Sequence, residues 1–190
     1  MDRTDRENIF YIDETGIAIH CRTNYGRSKR GERANLPVSA LKGQTFSICA
    51  AMNSKCLYLY EAKETPYEHL SFKDFLKTLF EYFERDGIEK AYIVMDNVRF
   101  YHHAEIESLL AGTSHEIVYL PAYSPFLNPI ENLFNQLKYY VKITRPKTAD
   151  EVFNAVRLSS EVVSEQNCQN YYSNMMKYIP KCMAFEDILN

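Results

Sequence analysis

A mixed β-sheet with helices packed on its faces is the fold class that this 190-residue chain predicts. Three observations carry that reading. NIFYID (8–13) and AYIVMD (91–96) are short, nearly continuous apolar runs, the pattern of strands buried on both faces. Four strand-like runs precede the first helical pattern, after which strands and helices alternate, so antiparallel pairing should give way to βαβ units. Between residues 71 and 86 the apolar side chains recur at helical spacing and form a single stripe.

The strand-like runs are 8–13, 17–21, 44–52, 56–60, 91–96 and 116–120. Glu14, Thr15 and Gly16 read as a turn between the first two. TNYGRSKRGERANLP (23–37) separates the second from the third as a polar loop, long enough to suggest a function of its own. In the helix 71–86, Ser71 with Asp74 has a capping-box pattern and Gly87 supplies a C-terminal stop. Its stripe is Phe72, Phe75, Leu76, Leu79, Phe80 and Phe83. Such a helix between 56–60 and 91–96 is expected to join parallel neighbours. A short helix follows at 102–110, and the tail 148–178 reads as one or two helices.

Bulk properties narrow the field. The length suits one domain with a sizeable core, and 46% hydrophobic with 25% charged residues is ordinary globular composition. No apolar stretch approaches the roughly 20 residues of a bilayer span, and MDRTDREN at the start is too charged for a signal peptide. Five cysteines without CxxC pairing read as reduced intracellular thiols. A net charge of −3 and a pI near 6.0 argue against a uniformly basic nucleic-acid binder. The charge is nevertheless local: Arg22, Arg27, Lys29, Arg30 and Arg33 face only Glu32 within 22–33, and Lys138, Lys142, Arg145 and Lys147 have no acid among them. Stripes of this kind can track a phosphate backbone or form solvated faces.

Three acids stand out by position. Asp13 ends the run Ile9–Ile12 and Asp96 ends Ala91–Met95, where open α/β sheets place ligands. Glu131 lies 35 positions after Asp96 in the first turn of a helix introduced by a proline-rich loop. Asn128, Pro129 and Glu131 also read as N-cap, N1 and N3 of a capping box, a purely structural use of the same glutamate. On that helix Ile130, Leu133, Phe134, Leu137 and Val141 form the expected buried stripe, while Glu131, Asn135, Lys138 and Lys142 share another face. Strand alternation points Glu14 away from Asp13, leaving Asp13 alone as the site residue there. Converging carboxylates bind divalent cations, and cations with acids suit phosphoryl transfer. His102 and His103, as helical neighbours, diverge by about 100° and cannot serve one ion together. Nothing resembles a GxSxG nucleophile.

IDETG around Asp13, the basic GRSKRGERA (26–34), MDN at Asp96 and YSPFLNPIEN around Glu131 together resemble the catalytic domain of mariner-superfamily DDE transposases. The resemblance spans roughly residues 8–145 and includes the 34-residue gap between the second and third acids. It implies a ribonuclease H-like, five-stranded mixed sheet flanked by helices, in a core over 1–147 with the basic loop 23–37 inserted. A helical tail, 148–190, would pack on that core. It further implies Asp13, Asp96 and Glu131 as catalytic residues and ligands of two Mg²⁺ or Mn²⁺ ions, serving DNA strand cleavage and strand transfer. DNA contacts are expected from Arg27, Lys29, Arg30, Arg33, Asn97, His102, Asn128, Asn135, Lys138 and Lys142.

The chain departs from the family in two places. Gly26-Arg27-Ser28 stands where members often carry a Trp soon after the glycine, and Tyr101 stands where many carry a His five residues past the second acid. The resemblance implies transposon ends and target DNA as partners, a homodimer on DNA, a nuclear site of action in a eukaryote, and no membrane association. Only twelve residues precede Asp13, so the helix-turn-helix region of such enzymes is expected to be separate or missing. Two alternatives stay open: a domesticated or truncated binding module without catalysis, and a ribonuclease H-type or junction-cutting nuclease.

Overall fold

The computed structural model describes residues 7–18, 29–31, 33, 43–97 and 104–184. Five strands form one sheet: β1 (Ile9–Ala18), β2 (Thr45–Met52), β3 (Leu57–Lys63), β4 (Tyr92–Met95) and β5 (Glu116–Tyr119), ordered β3-β2-β1-β4-β5. β1, β2 and β3 pair antiparallel, whereas β4 lies parallel to both β1 and β5. The sheet is mixed, as the sequence predicts.

The runs 8–13 and 17–21 belong to one strand rather than two. β1 continues through Glu14, Thr15 and Gly16, which pair with Cys49, Ile48 and Ser47 of β2. Gly16 holds the strand without a turn because β2 satisfies its backbone and the nearest side chain, Thr45, crowds that position: a Cβ there would meet the Thr45 methyl at 3.1 Å. Asp13 consequently lies in mid-strand, opposite Ala50, and not at a strand end.

Helix α1 (His69–Arg85) connects β3 to β4. These strands run the same way but are separated by β2 and β1, so the crossover spans two strands instead of joining neighbours. Its cap also differs from expectation. Glu68 is the N-cap and Ser71 is N3, with the Glu68 N–H donating to Ser71 Oγ at 2.9 Å. Gly87, at φ 71°, ends the helix in the left-handed region that glycine occupies without a Cβ penalty. The parallel pair β4 and β5 is joined by α2 (Ala104–Leu110). A 3-10 turn (Pro125–Leu127) then leads into α3 (Ile130–Thr144), α4 (Ala149–Glu161), α5 (Glu165–Met176) and α6 (Ile179–Met183).

The alternation of side chains along the strands divides the core in two. Phe10 and Ile12 of β1, Cys49 and Ala51 of β2, and Ile93 and Met95 of β4 pack with Phe72, Phe75, Leu76, Leu79 and Phe83 of α1 and Ile106 of α2. Ile9, Tyr11 and Ile17 of β1, Phe46, Ile48, Ala50 and Met52 of β2, and Val94 of β4 pack with Leu133, Phe134, Leu137 and Val141 of α3. Val152, Ala155 and Val156 of α4 and Cys168 and Met175 of α5 lie in that second cluster. Among the described residues no helix is long and apolar enough to cross a membrane.

Candidate active site

Asp13 belongs to the odd-numbered face of β1, with Ile9, Tyr11 and Ile17, so it points toward the layer of α3. Asp96 follows β4 immediately and continues the alternation of Tyr92 and Val94, which pack against the same layer. The parallel register pairs Ile9 with Tyr92 and Tyr11 with Val94. Asp96 lies close enough beyond that pairing for its charge to act on Asp13. Glu14 takes the opposite face, half-buried near Lys63; burial raises its carboxyl and the lysine charge opposes that rise.

Glu131 enters the same neighbourhood from above the sheet. Helix α3 packs on β1 through its stripe of Ile130, Leu133, Phe134, Leu137 and Val141, all buried as the sequence predicts. This docking fixes the first turn, where Glu131 is half-buried. Ahead of it, Leu120 N–H donates to the Met95 carbonyl at 2.9 Å, tying the loop to the residue before Asp96. Tyr123 holds φ 59° in that loop with its side chain 99% exposed.

Electrostatics link the acids. Burial pushes the Asp13 carboxyl up to about 7; the Glu14 backbone N–H, at 2.8 Å, opposes the rise, and the charges of Asp96, Glu131 and Glu14 add to it. Burial also raises the Asp96 carboxyl. Among the described residues no Lys, Arg or His forms an ion pair with any of the three acids. Among the described residues, then, no cationic side chain balances their negative charge. Equally, among the described residues no group of three or more His, Cys, Asp or Glu side chains is close enough to hold one metal ion. Asp13 is bonded to its own protein neighbours.

Asn128 is one of those neighbours, and its role differs from the expected cap. The α3 N-cap is Pro129, with no side-chain cap bond, and Glu131 sits at N2. Asn128 is 1% exposed and its Nδ2 donates to Asp13 Oδ2 at 3.2 Å. Local spacing could not reveal this contact, because it spans 115 positions and depends on how α3 docks.

The remaining expected DNA contacts are dispersed. Lys29, Arg30 and Arg33 are exposed, as are Asn97, Asn135 and Lys142, while Lys138 is half-buried. Arg27 and His102 lie outside the described residues, together with most of the basic loop.

Strand order and two helical layers define a ribonuclease H-like fold. Residues 8–152 match the DDE superfamily endonucleases, and the chain belongs to that family. The Mos1 transposase catalytic domain, solved with raltegravir and Mg, superposes with a TM-score of 0.77 at 15% identity, covering 99% of this chain and 88% of that one. A pre-cleavage Mos1 transpososome gives 0.76 at 13%, covering 99% of this chain and 58% of that one. The Mos1 mariner paired-end complex with Mn gives 0.75 at 15%, covering 96% and 57%. The chain thus spans a little over half the length of the transposase chains in those DNA complexes. No curated protein sequence matches it.

Proposed function

We propose that this chain is the catalytic core of a DNA transposase, in which Asp13, Asp96 and Glu131 hold two Mg²⁺ or Mn²⁺ ions for strand cleavage and strand transfer. The observation that carries the reading is that the charges of Asp96, just past β4, and Glu131, in the first turn of α3, both act on Asp13 of the central strand. The donor set fits such ions. Carboxylate oxygens are the hard ligands that Mg²⁺ and Mn²⁺ select, and the three acids, without an ion-pair partner among the described residues, leave charge for a cation to neutralise. Membership of the DDE endonucleases and likeness to structures solved with Mg and Mn support the same assignment.

When bound, a pair of divalent ions supplies charge stabilisation at the attacking and leaving oxygens of a phosphodiester. The chain's own residues do the rest. Asp13, anchored on the central strand, would hold the ions together with Asp96, the residue after β4, and Glu131 in the first turn of α3. Lys138 and Lys142, on later turns of α3, draw the phosphate backbone past Glu131, and Lys29, Arg30 and Arg33 add a second basic contact. Because base-edge readout needs a groove-inserted element, end recognition falls to a helix-turn-helix region separate from the core 1–147, and two cores act together on paired ends. Within the tail, the helices α4 and α5 brace α3.

Plasmid nicking with Mn²⁺ tests the proposal. The chain should nick supercoiled DNA, and Asp96→Asn should reduce nicking to background while electrophoretic DNA retardation persists. Equal nicking by Asp96→Asn would contradict the assignment. The absence of a preassembled three-acid group among the described residues favours one competitor, a binding module without catalysis. Retardation of DNA with no metal-dependent nicking by the unmodified chain would select it.

A further inference from the structure

Asn128 sits where the 3-10 turn meets α3, with 1% of its surface exposed. The Asn128 amide turns its nitrogen toward Asp13, whose ionised carboxylate is an acceptor. Nδ2 then holds Asp13 Oδ2 at 3.2 Å, and the Glu14 N–H holds Oδ1 at 2.8 Å. Both oxygens are thereby tied, and the carboxylate has one orientation. The same choice leaves Asn128 Oδ1 buried with no partner among the described residues. A leucine of similar volume would fill the space and remove the orphan oxygen at the cost of the bond to Asp13, so it is Asp13, and not packing, that accounts for an amide here.

We propose that Asn128 is a positioning residue that fixes the Asp13 carboxylate near Asp96, and that its unpaired Oδ1 takes a hydrogen bond from the hydration shell of a divalent cation held there. The positioning half stands on this chain's contacts alone; the cation half rests on the transposase reading. Residues that orient a metal ligand are outer partners whose loss weakens metal affinity without removing a ligand. The arrangement also explains why the turn and α3 are joined by Asn-Pro: proline starts the helix, which leaves the preceding side chain free to reach the sheet.

The test is Mn²⁺ titration calorimetry on the full chain, its Asn128→Leu variant and its Asp96→Asn variant, with metal-free melting temperatures and a crystal structure of the leucine variant. Asn128→Leu should lower Mn²⁺ affinity about 10- to 100-fold while its metal-free melting temperature matches or exceeds that of the unmodified chain. A site residue kept only for packing would show the reverse: a lower melting temperature with Mn²⁺ affinity unchanged, and that result overturns the proposal. If the leucine variant does not fold, Asn128→Ala is titrated and crystallised in its place, with the same loss of affinity expected. The crystal structure separates the two readings. If no variant and not even the unmodified chain binds Mn²⁺, the transposase reading and the cation half fall. An Asp13 carboxylate that has turned away in the variant still supports positioning, and one that has not moved overturns it.

Discussion

At the scale of single residues, Phe83 and His115 show how the sheet layer that carries Asp96 is held. Phe83 is fully buried, with ring centroids 4.4 Å from Phe10, 5.5 Å from Tyr58 and 5.0 Å from His115. Phe83→Ala should cost about 3–5 kcal/mol by chemical denaturation, the usual range for emptying a rigid aromatic site. His115 Nδ1 accepts from the Ala91 N–H at 3.1 Å, which requires the neutral ring, and burial lowers its pKa below the usual 6.5. The unfolded chain therefore binds the extra proton first. The stability from this contact is complete above about pH 6.5 and is lost as pH falls through the lower folded value. Thermal melts from pH 7.5 to 5 should fall more steeply for the unmodified chain than for His115→Asn, whose amide oxygen can accept from Ala91 without titrating. Parallel curves would exclude the contribution.

Elements explain which parts of the fold were legible in the sequence. The α3 stripe from Ile130 to Val141 is legible because helical periodicity sets burial directly, as it does for α1, while β4 is legible as a continuous apolar run. The split of β1 was misread because Gly16 signals a turn locally; only the pairing with β2, some thirty residues away, keeps the strand going. The cap of α3 was misread because Asn128 has a tertiary partner that outcompetes capping. Asp13 and Asp96 could be nominated from apolar runs, but their proximity depends on the parallel register, which no local pattern encodes. The tail illustrates a cap that local chemistry does set. Thr148 Oγ1 accepts from the Glu151 N–H at 3.2 Å at the start of α4, and Glu151 in turn accepts from Lys147 N–H at 2.6 Å. Thr148→Ala should destabilise the chain by about 1 kcal/mol, read as a shift in denaturant midpoint with an unchanged slope.

For the molecule as a whole, the sheet face under α3 concentrates negative charge, while exposed lysines and arginines lie on α3 and near residues 29–33. A chain built this way should be stabilised by the cations it holds. Mg²⁺ or Mn²⁺ at about 100 times its dissociation constant should add about 2.7 kcal/mol for a single site, reversed by a chelator and absent in Asp96→Asn. Calcium, with the same charge and looser geometry, should stabilise the chain too, but Mg²⁺ and Mn²⁺ should be the ions that support nicking. A melting temperature indifferent to all three ions would mean that the acids serve another purpose.

The most direct measurement is anomalous diffraction from crystals soaked in Mn²⁺. Manganese peaks are expected within coordination distance of Asp13, with Asp96 and Glu131 completing the ligand set and Asn128 still bonded to Asp13. Manganese bound only elsewhere, or none at all with the three carboxylates apart, would contradict the assignment.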